Sequence, residues 1–363
     1  MRKIIVINPG STSTKLAFFN SEENFLQWEI QHTVEEFSKF ERVYDQLEIR
    51  FKRIIEFLKE KVDFPQISAI AARGGLAKPL KSGTYIINEL LIEDLRNSMS
   101  RWGMEHPANL GAPLAKKLQE YLKLNFNKDI PAFIVDPISV DDFEPVAKIT
   151  GLYPYERYSL YHALNQRSVA RIAVKQIGKS FENANLIGVH MGGGISVVAF
   201  KNGKGIDSNV ALLGYGPFSP QRTGTLAIQL VIKLCFSGKY TEKDLRTLLG
   251  KKGGLYSYFQ TDDAKVIEKK ILEGDKKAEL VYYAMAYNIA KEIGAMASVL
   301  MGKVDLIFLT GGLAKSQMLV NWIKERIEFI APVFIYPGER EMQALAEGAY
   351  RVLKGEENAR QYS

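Results

Sequence analysis

The chain is short of thiols: Cys235 is the single cysteine in 363 residues. One thiol excludes an internal disulfide framework and a cysteine cluster for zinc, which suits a reducing cytoplasm, and Cys235 is expected to be a small core residue. Long apolar runs are missing as well. The longest, residues 186–200, is broken by His190 and by Gly192, Gly193 and Gly194. It falls short of the roughly 18 uninterrupted apolar residues of a membrane span, so no membrane association is expected. Met1-Arg2-Lys3 leads into only four apolar residues before Asn8 and Pro9, too few for the core of a secretion signal. Histidine is scarce, and its four positions show no metal-ligand spacing. Charge of one sign never accumulates: 48 basic residues are interspersed with 41 acidic ones, giving a formal net charge of +7 without a basic block. Nucleic-acid binding is therefore not expected, whereas small phosphate-bearing anions fit the charge. Neither a P-loop nor a Rossmann glycine fingerprint is present.

What the chain does have is a pattern that occurs twice, about half a chain apart. The strand-like run Ile4-Ile5-Val6-Ile7 meets the polar turn Asn8-Pro9-Gly10-Ser11-Thr12-Ser13-Thr14, and a second run, Leu16-Ala17-Phe18-Phe19, follows. Leu186-Ile187-Gly188-Val189 likewise meets His190-Met191-Gly192-Gly193-Gly194, then Ile195 to Phe200 runs into the hairpin signal Asn202-Gly203. A second pair matches these. Ile67 to Ala72 ends at Arg73-Gly74-Gly75-Leu76, and Val304 to Leu309 ends at Thr310-Gly311-Gly312-Leu313. Each is preceded by a stretch of helical periodicity, residues 43–61 and 276–301. Two hairpin-led α/β halves of this kind predict mostly parallel sheets covered on both faces, with a cleft between the halves. The boundary is expected near Gly151 to Glu156, giving domains 1–155 and 156–337. Residues 338–363 form a closing helix that crosses back toward the first domain, and a frayed polar tail follows it. The apolar stretch 280–300, rich in alanine, is expected to pack in the core.

Glycine turns after buried strands let backbone N–H groups close on phosphate oxygens, because no Cβ holds the ligand off. Three places offer this: Gly10 to Thr14 with Lys15, the turn Gly192-Gly193-Gly194, and Gly311-Gly312. A glycine in a hairpin is more often only a turn, and the two-fold placement is what raises these above that reading.

Strand, Asn-Pro-Gly-Ser-Thr-Ser-Thr and strand, in a two-half chain with three glycine turns, resemble the acetate and sugar kinase, heat-shock chaperone ATPase and actin superfamily. Residues 7–15 resemble the signature of its acetokinase branch. The order Glu105-His106, Asn109-Leu110-Gly111, Val135-Asp136-Pro137, His190 to Gly194, Arg222-Thr223-Gly224-Thr225 and Thr310 to Leu313 is most similar to the butyrate kinases. The resemblance implies a fold of two duplicated ribonuclease H-like, actin-like ATPase domains flanking a catalytic cleft. It implies reversible, direct phosphoryl transfer between ATP and butyrate, giving ADP and butyryl phosphate, with Mg2+ as cofactor and a homo-oligomer as the assembly. Another short acid, such as isobutyrate, propionate or acetate, is the nearest alternative, since one methylene discriminates by only about 1 to 3 kcal/mol. A non-catalytic, nucleotide-gated binding protein is the alternative of another class.

The resemblance also implies roles for particular residues. Arg222 is the candidate for stabilising the transferring phosphoryl, Arg73 for holding the substrate carboxylate, His162 for hydrogen bonding to the phosphoryl, and Asp136 for positioning the metal. Glu341 and Asn8 join Asp136 as metal candidates. Asn8, Gly10, Ser11, Ser13, Lys15, His190, Gly192, Gly193, Gly194, Gly311, Gly312 and Leu313 are the nucleotide and phosphate candidates, and Met104 and Pro217 would line the alkyl pocket. One departure stands out: acetate kinases place a histidine before the first glycine pair and their arginine three positions earlier, where this chain has Arg73 and Ile70.

Overall fold

The computed structural model describes residues 2–363. In chain order the strands are β1 (Lys3–Pro9), β2 (Ser13–Phe19), β3 (Phe25–Gln31), β4 (Ile67–Arg73), β5 (Thr84–Ile86), β6 (Ala132–Val135), β7 (Asn185–Met191), β8 (Ile195–Lys201), β9 (Lys204–Ser208), β10 (Leu306–Gly311) and β11 (Val333–Pro337). The longer helices are α1 (Leu47–Lys61), α2 (Gly111–Phe126), α3 (Ala163–Ala173), α4 (Lys276–Val299), α5 (Gln317–Ile327) and α6 (Glu341–Lys354). These elements form two compact units, Met1–Val140 with Arg340–Ser363, and Asp141–Glu339.

In the first unit the sheet order is β3-β2-β1-β4-β6-β5. The leading strands are antiparallel hairpins, whereas β1, β4 and β6 run parallel. The apolar run of β1 is continuous because both of its faces are covered: Ile4, Ile5, Val6 and Ile7 have no exposed surface. One face packs with the core side chains of α1 and α2, among them Ile54, Leu58, Leu114 and Leu118. Helix α6 also packs on β1, β4 and β6. Its Gly348 lies so close to β6 that a Cβ there would come within 2.5 Å of Val135 Cγ1.

The second unit repeats the plan, with sheet order β11-β10-β7-β8-β9. Strand β7 pairs antiparallel with β8 and parallel with β10, as β1 does with β2 and β4. Helix α4 fills the core with Met285, Ala286, Ile289 and Ile293, so one face of its alanine-rich stretch packs inward as expected, while Leu280 and Ala295 are exposed. Helix α3 lies on β7 and β10. The duplication read from the two glycine-turn pairs is thus present strand by strand, with β5 added at one edge of the first sheet.

The two halves differ in what is inserted. Between β9 and α4 the second unit carries helices Ile228–Cys235, Glu242–Gly250, Gly254–Phe259 and Ala264–Leu272. The first helix has no buried residue, and Cys235 on it is exposed, not a core residue as expected from its size. Among the described residues no helix is long and apolar enough to cross a membrane.

The units divide at Val140/Asp141, ahead of the 155/156 boundary expected from Gly151 and Pro154. Residues 141–159 are fastened to the second unit by polar contacts that composition does not show. Glu144 N donates to Ile206 O at 3.1 Å, and Arg157 pairs with Asp207 at 2.6 Å. The C-terminal helix groups with the first unit, and the tail is not frayed. Arg360 N donates to Thr84 O at 2.8 Å and Ile86 N to Arg360 O at 3.0 Å, so the tail continues along the β5 edge. Tyr362 is buried, its carbonyl accepting from Asn88 Nδ2 at 2.8 Å and its hydroxyl bonding Asp94. A polar composition hid a single β-bridge, between Arg360 and Tyr85, made by the backbone.

Candidate functional site

The first unit gathers its candidates around the β1–β2 hairpin and the end of β4. The hairpin turn closes through Gly10 N to Ser13 O at 2.8 Å. Ser11 and Thr12 are exposed, Gly10, Ser13 and Lys15 half-buried, and Asn8 and Thr14 buried. Beneath the turn lies Arg50 of α1, fully buried, donating to the carbonyls of Gly10 at 2.9 Å, Ser11 at 3.3 Å and Ser13 at 3.0 Å. Arg50 also donates to Thr14 Oγ1 at 3.0 Å, which in turn meets His32 Nε2 at 2.9 Å. Burial, and then the cationic Arg50 and Arg53 nearby, depress His32 to about 4, so its ring is neutral at neutral pH.

Strand β4 delivers Arg73 at its C-terminal end, where parallel sheets keep binding residues. Its Nη1 pairs with Glu341 Oε1 from the first turn of α6, while Asn8 Nδ2 donates to Glu341 Oε2 at 2.8 Å. Arg73, Asn8 and Glu341 therefore form one linked group. Arg73 Nε is buried without a hydrogen-bond partner. The close approach behind this strand end demands glycine: a Cβ on Gly111 would overlap the Arg73 carbonyl oxygen. Asp136 follows β6 and is buried with φ of 38°. Its Oδ1 accepts from Gly83 N at 2.8 Å, which orients the carboxylate. Met104 is half-buried, and its carbonyl accepts from Ser98 Oγ at 3.3 Å.

As candidate metal ligands Asn8, Asp136 and Glu341 offer hard oxygen atoms, the kind Mg2+ uses together with retained waters and phosphate oxygens. Among the described residues no cluster of three His, Cys, Asp or Glu forms an all-protein metal cage. A set of this composition fits a metal that arrives with phosphate.

The second unit builds its candidates on the equivalent hairpin. Gly192 N donates to Gly194 O at 3.0 Å, and the Gly193 carbonyl accepts from Ser219 Oγ at 2.6 Å. Ser219 Oγ also accepts from Arg222 N at 3.1 Å, so one hydroxyl ties the glycine turn to the arginine loop. Arg222 Nη1 donates to Ala211 O, and a Cβ on Gly194 would overlap that same Nη1. Burial lowers Arg222 to about 10, which leaves it cationic at neutral pH. Pro217 and Arg222 line one small space together with Leu212 and Gly224.

His162, at the start of α3, stacks on His190 of β7 with ring centroids 3.8 Å apart and planes 12° apart. His162 Nδ1 meets Ser196 Oγ at 2.8 Å, and Asn165 Nδ2 meets His190 Nδ1 at 3.0 Å. Both rings are thus held by neighbours on β8 and α3. Gly192, Gly193, Gly312 and Leu313 share the wall of a cavity of about 440 Å³, completed by Pro220, Gln221, Asp262, Lys265 and Lys315. That volume lies within the range of small-molecule sites. Gly311, with φ of 91°, supports the wall from behind: a Cβ there would overlap Met191 O.

The structure brings together Asn8, Arg73 and Glu341 in one unit, and Gly192, Gly193, Gly312 and Leu313 in the other. His162 joins His190, and Pro217 joins Arg222. Sequence reasoning missed Arg50, Ser219, Asn165 and the Gln221–Asp262 contact of 2.6 Å. A signal existed for Arg50, which shares the i, i+4 stripe of α1 with Ile54 and Leu58, a place for an apolar side chain.

Residues 152–332 match the family model described as the Acetokinase family. Among solved structures, an acetate kinase from Porphyromonas gingivalis is 20% identical with a TM-score of 0.76, covering 97% of this chain and 100% of that one. A propionate kinase from Francisella tularensis subsp. tularensis is 18% identical with a TM-score of 0.72, over 96% and 99%. An acetate kinase from Entamoeba histolytica is 17% identical with a TM-score of 0.74, over 96% and 99%. At these identities the likeness establishes the fold, the two-sheet α/β fold of actin-like ATPases.

Proposed function

We propose that this chain, with residues 152–332 matching the acetokinase family, is a carboxylate kinase, with butyrate as its first candidate acid. The observation that carries this reading is in the second unit. A nucleotide-sized cavity is walled by the glycine turns after β7 and β10, and the partly buried cation Arg222 is tied to the same turn through Ser219. In the first unit, Arg73 supplies a cation for a carboxylate, and the β1–β2 hairpin supplies amides and hydroxyls for phosphate.

The chemistry asks for little activation, because a short fatty acid is already ionised at neutral pH. A carboxylate oxygen forms a bond to the γ-phosphorus of ATP. The bond from that phosphorus to the β,γ-bridging oxygen breaks, and its electron pair leaves with ADP. The charge developing on the transferring group is what the protein must neutralise. Arg222 is assigned that role, His162 a hydrogen bond to the phosphoryl, and Arg73 the carboxylate. Asn8, Asp136 and Glu341 would hold Mg2+, which supplies charge neutralisation at the phosphates. Butyrate is preferred on the order of motifs along the chain, and each methylene buried beside Pro217 or Met104 would add roughly 0.8 kcal/mol. The enzyme is expected to work in the cytoplasm as a homo-oligomer.

The test is acyl phosphate formation, trapped as hydroxamate, with MgATP and acetate, propionate, butyrate, isobutyrate or valerate. Highest kcat/KM with butyrate supports the full reading. A maximum with another acid replaces only the substrate. ATP binding without turnover of any acid contradicts the kinase reading and favours a nucleotide-gated binding protein.

A further inference from the structure

Arg50 is a charged side chain with no exposed surface, and among the described residues it enters no ion pair with a carboxylate. Buried arginines ordinarily have an acidic partner, because an uncompensated charge in the interior is costly. Here every donor is spent on neutral oxygens. Nε and Nη2 donate to Gln46 Oε1 at 3.1 and 2.8 Å, and the remaining bonds go to Thr14 Oγ1 and the hairpin carbonyls. The guanidinium also lies over the Phe37 ring at 4.5 Å. Thr14 Oγ1 accepts from Arg50 and meets His32 Nε2 at 2.9 Å, and the histidine, its pKa lowered by burial, adds no charge of its own at neutral pH. Burial lowers Arg50 only to about 10. Its charge is therefore retained at neutral pH, offset by neutral oxygens and an aromatic face and, among the described residues, by no paired carboxylate.

The hairpin shows what this arrangement accomplishes. A peptide unit is planar and trans, so each carbonyl points opposite to the N–H of the following residue. With the carbonyls of Gly10 and Ser11 drawn down onto one guanidinium, the amides of Ser11 and Thr12 point the other way, and these are the two exposed residues of the turn. We propose that Arg50 is the positioning residue of this hairpin: it aims the Ser11 and Thr12 amides outward as an anion site and fixes a positive charge behind them. The ligand is a phosphate group. Naming it as a phosphate of ATP rests on the kinase reading above, whereas the geometry of the hairpin does not.

Hydrogen exchange over residues 10–14, with and without millimolar inorganic phosphate, is the direct test, with steady-state kinetics beside it. In the native protein phosphate should slow exchange of this segment, and in folded Arg50→Met it should not. Arg50→Met should lower kcat by about 100-fold while ADP affinity, a property of the second unit's cavity, stays within about twofold, and Arg50→Lys should recover about tenfold of the loss. A merely structural role would lower both together and would not respond to lysine. Wild-type kcat in folded Arg50→Met, or phosphate protection that survives the substitution, overturns the inference. If Arg50→Met does not fold, Gln46→Ala loosens the guanidinium without touching the hairpin. It should lower kcat about fivefold at unchanged ADP affinity, and an unchanged kcat would overturn the inference. The two proposals fail separately. Phosphate protection that depends on Arg50 in a protein that phosphorylates no acid sinks the kinase reading alone. Turnover indifferent to Arg50 sinks this inference alone.

Discussion

The β1–β2 and β7–β8 hairpins occupy the same place in duplicated sheets, yet they are supported in opposite ways. The first is rich in hydroxyls and carries a buried cation, Arg50, on its carbonyl side. The second is bare glycine, its Gly193 carbonyl held by the neutral hydroxyl of Ser219, and its cation, Arg222, is packed where a Gly194 side chain would be. The glycines consequently do different work. At Gly10 an added Cβ would meet only Ser13 O and Oγ at 3.5 Å, an ordinary contact. At Gly194 it would displace the arginine. Duplication has preserved the backbone device and changed where the positive charge is stored.

The largest effect expected from this contrast belongs to the second hairpin's cation. Arg222→Ala should lower kcat/KM by about 1,000-fold or more in the hydroxamate assay, since it removes the charge we propose for the transferring group. A loss below tenfold would take Arg222 out of the chemistry. Next, Gly194→Ala should lower kcat by roughly 10- to 100-fold by shifting Arg222, whereas Gly10→Ala should change it by less than about threefold. Equal losses at the two glycines would erase the difference between the hairpins.

Ser219→Ala is a smaller perturbation. It leaves the Gly193 carbonyl and the Arg222 amide without their shared hydroxyl, at a cost of about 1 to 2 kcal/mol, read as a fall in Tm. An unchanged Tm would mean that the hydroxyl bears no load in the second hairpin. The smallest effect is in the first. His32 has a folded pKa of about 4, depressed below the ordinary 6.5, so folding favours its neutral form. That stability is fully present above pH 6.5 and is lost as pH falls toward 4, because the unfolded chain binds the proton first. Denaturant titrations across that window should show the decline, and His32→Gln should flatten it. An identical slope in the variant would assign the decline to other groups.

Much of this comparison was readable before any coordinates. Continuous apolar runs ending in glycine marked β1, β4, β7 and β10, because strands covered on both faces need no polar alternation. The repeat was therefore visible from hydrophobicity and glycine alone. Supports acting through side chain to backbone hydrogen bonds were not. Nothing about Ser219 distinguishes a serine that holds a carbonyl from one that faces solvent, and the tail is fastened by the backbone of Arg360 and by the carbonyl and hydroxyl of Tyr362. The domain boundary was misplaced for a similar reason: Gly151 and Pro154 mark a turn, while the pairing of Arg157 with Asp207 decides which unit owns the segment. Arg50 is the intermediate case, legible as a charge on an apolar stripe, although only the fold shows which carbonyls it gathers.

The central claim, that a carboxylate oxygen of the acid takes up the γ-phosphoryl group of ATP, can be tested with butyrate labelled with 18O in both oxygens, MgATP and 31P NMR of the acyl phosphate formed. The account predicts an isotope shift from 18O at the bridging oxygen, with none in the ADP or in its terminal phosphate. Acyl phosphate without the label, or no acyl phosphate from any short acid while ATP still binds, would contradict it.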